Sequence, residues 1–248
     1  MQRPKQPVST ALPPLAVQSP DVGSAPNAWL RDALQRMQRR FWFKTLGITA
    51  FMWVFFAAYF HLLRHPRHTP SLMPLTALDQ AIGFQPWALA VYVSLWFYVG
   101  IAPMLIRSAW SLIVYGVWIG GLCITGLAVF YAWPNAVPPW PIDTGLNPAF
   151  AMLQGVDASG NACPSLHVAT ACFTAVWVEH LLRRMGAPRW ARGLNALWFA
   201  LIAFSTVAVK QHVVLDVIAG TLLGLVFALP SLPGQRGREV RGDIIRRH

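Results

Sequence analysis

The chain has 248 residues, 55% of them hydrophobic and only 12% charged, with a mean hydropathy of +0.45. That profile excludes an ordinary soluble domain and implies one helical membrane bundle with no room for a second domain. The formal net charge of +11 does not point to nucleic acid, because no groove-reading motif accompanies it.

Residues 1–28 are rich in Pro, Ser and Ala and lack apolar periodicity, which predicts disorder. Their short basic start is not followed by an apolar core and a small-residue cleavage site, so they do not read as a signal peptide. The first span is therefore expected to stay as an anchor. The stretch WLRDALQRMQRRFWFK (29–44) reads as an amphipathic surface helix. Residues 1–40 are thus expected to form a disordered and amphipathic segment, 41–232 a membrane domain, and 233–248 a basic tail suited to anionic headgroups.

Six apolar runs follow in order, at about 45–63, 85–106, 109–133, 167–182, 190–209 and 213–232. The expected fold is all-α, a polytopic bundle of six transmembrane helices. Trp42, Trp87, Trp110, Trp133 and Trp190 fall near span ends, as an interfacial belt requires. With the N-terminus inside, seventeen of the twenty Lys and Arg lie on the inner side, leaving only Arg64, Arg67 and Lys210 outside. This charge bias predicts an inner or plasma membrane protein with both termini cytoplasmic.

Several polar residues take ordinary readings. Cys123 and Cys172 fall inside spans as small packing residues, and Cys163 lies outside with no assigned role. His61, His65 and His68 have zinc-like spacing, but no carboxylate or cysteine joins them and Pro66 interrupts the helix. Glu179 and His180 read as a surface pair, and Asp79, Asp143 and Asp157 as turn or capping carboxylates.

Two short motifs carry chemistry. KQHVVLD (210–216) sets Lys210, His212 and Asp216 at the start of the sixth span, where charge is costly without a purpose. Asp216 lies four residues after His212 and shares its helix face, so it can take the Nδ1 proton and leave Nε2 as a nucleophile. CPSLH (163–167) opens the fourth span, whose free N–H groups favour an anion such as phosphate, with the Ser165 hydroxyl as a further donor. Alternating topology brings His167 to the same depth as His212, where it can act as a general acid. Lys210 would supply fixed positive charge to the phosphoryl oxygens.

The PSLH motif and the spacing S-x6-H-x3-D (Ser205, His212, Asp216) resemble the second and third signatures of the type 2 phosphatidic acid phosphatase superfamily. That resemblance implies a six-helix core and no metal or other cofactor. It also implies His212 as nucleophile, forming a phosphohistidine, His167 as general acid and Asp216 orienting His212. The partners implied are membrane lipids: a lipid phosphate donor, with water or a lipid alcohol as acceptor.

Departures from the family pattern are equally plain. The first signature's Lys and Arg-Pro are absent, since 134–166 holds no Lys or Arg and begins PNAVPPWP. Thr206 stands where the third signature has Arg, and Leu166 where the second has Gly. These changes resemble the branch of inositol phosphorylceramide and sphingomyelin synthases, and PLTALDQAIGFQPWALAVY (74–92) resembles its bacterial members. Lys210, Arg64 and Arg67 are therefore expected to replace the missing cations around phosphate, in a site facing the periplasm or exterior. A transporter or flippase would place its ionisable groups near mid-membrane. An inactive scaffold would not need His167, His212 and Asp216 together.

Overall fold

The structure, a computed structural model, describes residues 27–141 and 160–232. The N-terminal residues 1–26, the basic tail, and Asp143 and Asp157 lie outside the described residues. Within them the chain forms eight helices: α1 (Ala28–Gln38), α2 (Phe41–Arg64), α3 (Ala77–Ala81), α4 (Ala88–Leu105), α5 (Ala109–Ala132), α6 (Leu166–Arg184), α7 (Arg189–Ala208) and α8 (Val214–Ser231).

Five of these helices, α2, α4, α5, α7 and α8, are long and apolar enough to cross a membrane, which indicates a multi-pass membrane protein. The fourth expected span is present as the helix α6, but its composition does not reach that standard. Thr170, Thr174, Glu179, His180, Arg183 and Arg184 dilute its apolar character. The physical reason is its position. The helix is enclosed by α4, α5, α7 and α8, so its side chains meet protein, not lipid.

The expected surface helix over 29–44 is split. Arg40 takes a left-handed conformation at φ 58°, so α1 ends at Gln38 and the rest of the stretch begins α2. Glu179 pairs with Arg183 and Arg192, not with His180, whose ring packs against Trp177.

Close packing of α6 on α8 sets the site. A Cβ added to Gly220 would lie 2.4 Å from the Ser165 carbonyl oxygen, and one at Gly224 would lie 2.7 Å from that of Ala169. Glycine at both positions, four apart, lets the two backbones approach as no other residue would allow.

At the end of the bundle where α6 begins, the connecting loops knit together. Ser71–Leu72 (β1) pairs in parallel with Asn135–Ala136 (β2), and Ala136 bridges to Gly160. Met73, Val137, Ala162 and Val213 pack beneath as a small core of their own.

Candidate active site

The first half of the site is the start of α6. Ser165 is its N-cap, accepting from the Val168 amide at 3.2 Å, and is fully buried. Its own N–H donates to the Asp216 carbonyl at 3.1 Å, which fixes the beginning of α6 against the first turn of α8. Just upstream, the Asn135 side chain clamps Cys163, donating to its carbonyl at 2.8 Å and accepting from its N–H at 2.7 Å.

The second half is the turn from α7 to α8. The amides of Gln211 and His212 both donate to the Thr206 carbonyl at 3.1 Å, reversing the chain within a few residues. Lys210 sits at the left-handed position of this turn with φ 58°, where glycine is the usual choice. A non-glycine residue there costs about 1–2 kcal/mol, so something must hold it.

The holding group is the loop of α3. The Lys210 ammonium donates to the carbonyls of Asp79, at 3.0 Å, and Ile82, and lies 3.9 Å from the centroid of the Trp140 ring. Asp79 caps α3 by accepting from the Thr76 amide at 2.8 Å, and its other oxygen accepts from the Val214 amide at 2.8 Å. The capping role expected of Asp79 is present, while its link to the start of α8 had no sequence signal. Burial lowers the Lys210 pKa, with the Asp79 charge opposing that shift.

These two halves bring the three expected catalytic residues together. His167 Nδ1 lies 3.2 Å from His212 Nε2, and His212 Nδ1 faces Asp216 Oδ2 at 3.5 Å. Asp216 is fully buried, and Oδ2 also accepts from the Val213 amide at 2.9 Å. A fourth residue joins them: Tyr92, from α4, has its hydroxyl 2.8 Å from His167 Nε2. Sequence reading quoted Tyr92 within 74–92 but gave it no role.

One set of tautomers fits the Tyr92–His167–His212 contacts, while His212 Nδ1 and Asp216 Oδ1 make no hydrogen bond among the described residues. A proton on His212 Nδ1 faces the carboxylate, so Nε2 presents its lone pair. His167 then donates from Nδ1 to that lone pair, and its own Nε2 accepts from the Tyr92 hydroxyl. In that arrangement the row holds an unprotonated ring nitrogen at its centre and a proton on the neighbouring ring.

The expected phosphate ligands are placed differently from one another. Ser165 is enclosed and its oxygen is engaged as a helix cap. The Lys210 ammonium meets backbone carbonyls and an indole, so its contacts lie behind the histidine turn. Arg64 and Arg67 are exposed at the same end of the bundle, each against an aromatic ring: Phe60 at 5.6 Å and Tyr131 at 5.4 Å. Gln211, beside His212, is buried, and its side-chain amide has no hydrogen-bond partner among the described residues. Burial raises the Cys163 thiol to about 11, with the nearby Asp216 carboxylate adding to the shift.

The class these features define is a helical membrane protein with a Tyr-His-His-Asp row at one end of the bundle, in which Tyr92, His212 and Asp216 are buried and His167 is half-buried. Residues 138–238, about two fifths of the chain, match the family model of the PAP2 superfamily. That segment contains Ser165, His167, His212 and Asp216, and the match supports a membrane phosphatase or phosphotransferase. No curated protein and no solved structure matches the chain.

Proposed function

We propose that the protein is an integral membrane enzyme that transfers a phosphoryl group from a lipid phosphate ester through a phosphohistidine on His212. The observation that carries this reading is the 3.2 Å approach of His167 Nδ1 to His212 Nε2, with Asp216 on the far side of His212. His212 Nε2 attacks phosphorus, forming a P–N bond as the P–O bond to the leaving alcohol breaks. His167, protonated on both nitrogens in the working complex, gives its Nδ1 proton to the departing oxygen and keeps the proton on Nε2, which faces the Tyr92 hydroxyl oxygen. In the second step His167 takes the proton from water or a lipid alcohol, whose oxygen attacks phosphorus and releases the His212 nitrogen. Asp216 stabilises the charge on the His212 ring throughout.

In-line transfer sets phosphorus about 3 Å from His212 Nε2 and puts the departing oxygen, on the far side of phosphorus, about 3 Å from His167 Nδ1, so these nitrogens must stand well over 3 Å apart in the working complex. The substrate therefore parts rings that now touch. We place the site at the outer face of a bacterial inner or plasma membrane, with six spans and both termini inside, on the charge bias of the sequence.

The scarcity of cations favours transfer of a phospho-headgroup over hydrolysis of a phosphomonoester. A phosphodiester carries one negative charge, where a monoester approaches two, and it asks for less positive charge around it. Residues 134–166 offer no Lys or Arg, and Lys210 is turned toward the α3 loop. Arg64, Arg67, the Gln211 amide and the first N–H groups of α6 are our candidates for phosphate contact. This is the chemistry of the synthase-like branch that the sequence resembles.

Purified protein in mixed micelles, given a phospholipid panel with a diacylglycerol or ceramide acceptor, tests both steps. Headgroup-bearing product without free phosphate is expected, together with an acid-labile label on the wild type and none on His212→Ala. Free phosphate as the main product would make it a phosphatase. Undiminished turnover by His212→Ala would refute the mechanism.

A further inference from the structure

Beneath His167 a cavity of about 450 Å³ runs down the bundle between α2, α4, α5 and α6. His167 and Tyr92 line its upper end, and Lys44 and Gly47 line the lower end. Its walls between them are almost wholly apolar, with Phe51 and Trp96 among them. At 1.5 Å per residue, the stretch of α4 from Tyr92 to Pro103, both in the wall, covers about 16 Å of depth. The lower end is closed by Lys44, whose ammonium donates to the carbonyls of Arg36, at 2.7 Å, and Met104, at 2.6 Å.

Two glycines shape that lower end. Gly47 and Gly116 both line the cavity, and a Cβ added to either meets nothing within 4 Å. Neither is required by close packing, unlike Gly220. Their effect is to leave room. At about 30 Å³ per atom of water's size, 450 Å³ holds roughly 15 chain atoms, enough for one hydrocarbon chain and half the need of two.

We infer that this cavity binds a single hydrocarbon chain of the lipid substrate, and that Gly47, Gly116 and the Lys44 closure set the length it accepts. The inference rests on the phosphoryl-transfer reading of His167 and His212, and it adds that the enzyme measures one chain. Any second chain stays outside, along the apolar outer faces of the helices. Each methylene that enters the cavity leaves water or detergent for an apolar wall, so affinity rises with length until the floor is reached. Beyond that the chain must buckle, and the gain stops.

A series of single-chain phosphate esters from well below to well above about 15 carbons tests the ruler. Wild-type kcat/KM is expected to climb with length and then level near that size. Gly47→Leu or Gly116→Leu should move the break to shorter chains and lower the long-to-short ratio of kcat/KM by tenfold or more. An unmoved break in variants that still turn over would overturn the inference while leaving the catalytic reading intact. A second readout does not depend on turnover. The His212→Ala protein is cross-linked to a long single-chain phosphate ester carrying a diazirine at its chain end. Adducts within 43–52 are expected. Adducts confined to outward residues such as Trp53 and Val54, both exposed, would overturn the inference whatever the activity assay gives.

Discussion

Tyr92→Phe is the most informative single change. It removes one oxygen, 2.8 Å from His167 Nε2, from a residue 2% exposed, and leaves the ring and its packing in place. A hydrogen bond to a group that carries charge, as His167 does when doubly protonated, is worth about 1.5–3 kcal/mol. If that loss falls on the transition state, where His167 must hold its proton on Nδ1, kcat drops roughly 10- to 100-fold at about 1.4 kcal/mol per decade. KM should change little, because the hydroxyl contacts the acid and not the substrate chain. The assay is the pH dependence of kcat and kcat/KM beside a thermal melt. Tyr98→Phe is the control: its hydroxyl donates to Asn195 Oδ1 at 2.8 Å on the same helix, away from the histidines. It should lower the melting temperature without reshaping the pH profile. If the two variants lose activity in equal proportion, or if Tyr92→Phe keeps wild-type kcat and pH dependence, the positioning role of Tyr92 is wrong.

Three further outcomes follow from the geometry. Gly220→Ala sets a methyl 2.4 Å from the Ser165 carbonyl oxygen, so α8 must shift; stability should fall by about 1–3 kcal/mol with activity, while Gly100→Ala, into open space, stays near wild type in a denaturation series. Lys210 has a folded pKa lowered by burial, so between that value and the unfolded value of about 10.4 the unfolded chain binds more protons. Wild-type stability should therefore gain as pH rises through that window, a gain absent in Lys210→Met and readable by melts across pH. The Cys163 thiol, raised to about 11, should resist alkylation at neutral pH and react only as pH nears that value, followed by mass spectrometry of the 163-containing peptide.

Much of this arrangement was legible in the chain. The apolar runs located every long helix to within a few residues, because length and hydropathy are local properties. His167, His212 and Asp216 were legible because alternating topology and a four-residue spacing are also readable along the sequence. Lys210 was not, since its partners arise from a left-handed turn and a loop about 130 positions earlier. A charge two residues from His212 gives no local sign that its ammonium meets the carbonyls of a distant loop. Tyr92 was hidden for a different reason. A buried tyrosine in an apolar helix has the same local pattern whether its hydroxyl meets Asn195, as Tyr98's does, or His167. The enclosed helix α6 escaped a strict hydropathy rule because that rule measures contact with lipid, and α6 has little.

The bond from Val214 to Asp79 joins positions 135 apart, and the Lys210 contacts beside it are nearly as distant. During synthesis the α3 loop emerges long before the turn that it holds. The turn from α7 to α8 thus gains these contacts only when it docks against a loop made much earlier. Assembly of the reactive centre becomes the closing event of folding, with a large loop-closure cost met only by the complete bundle.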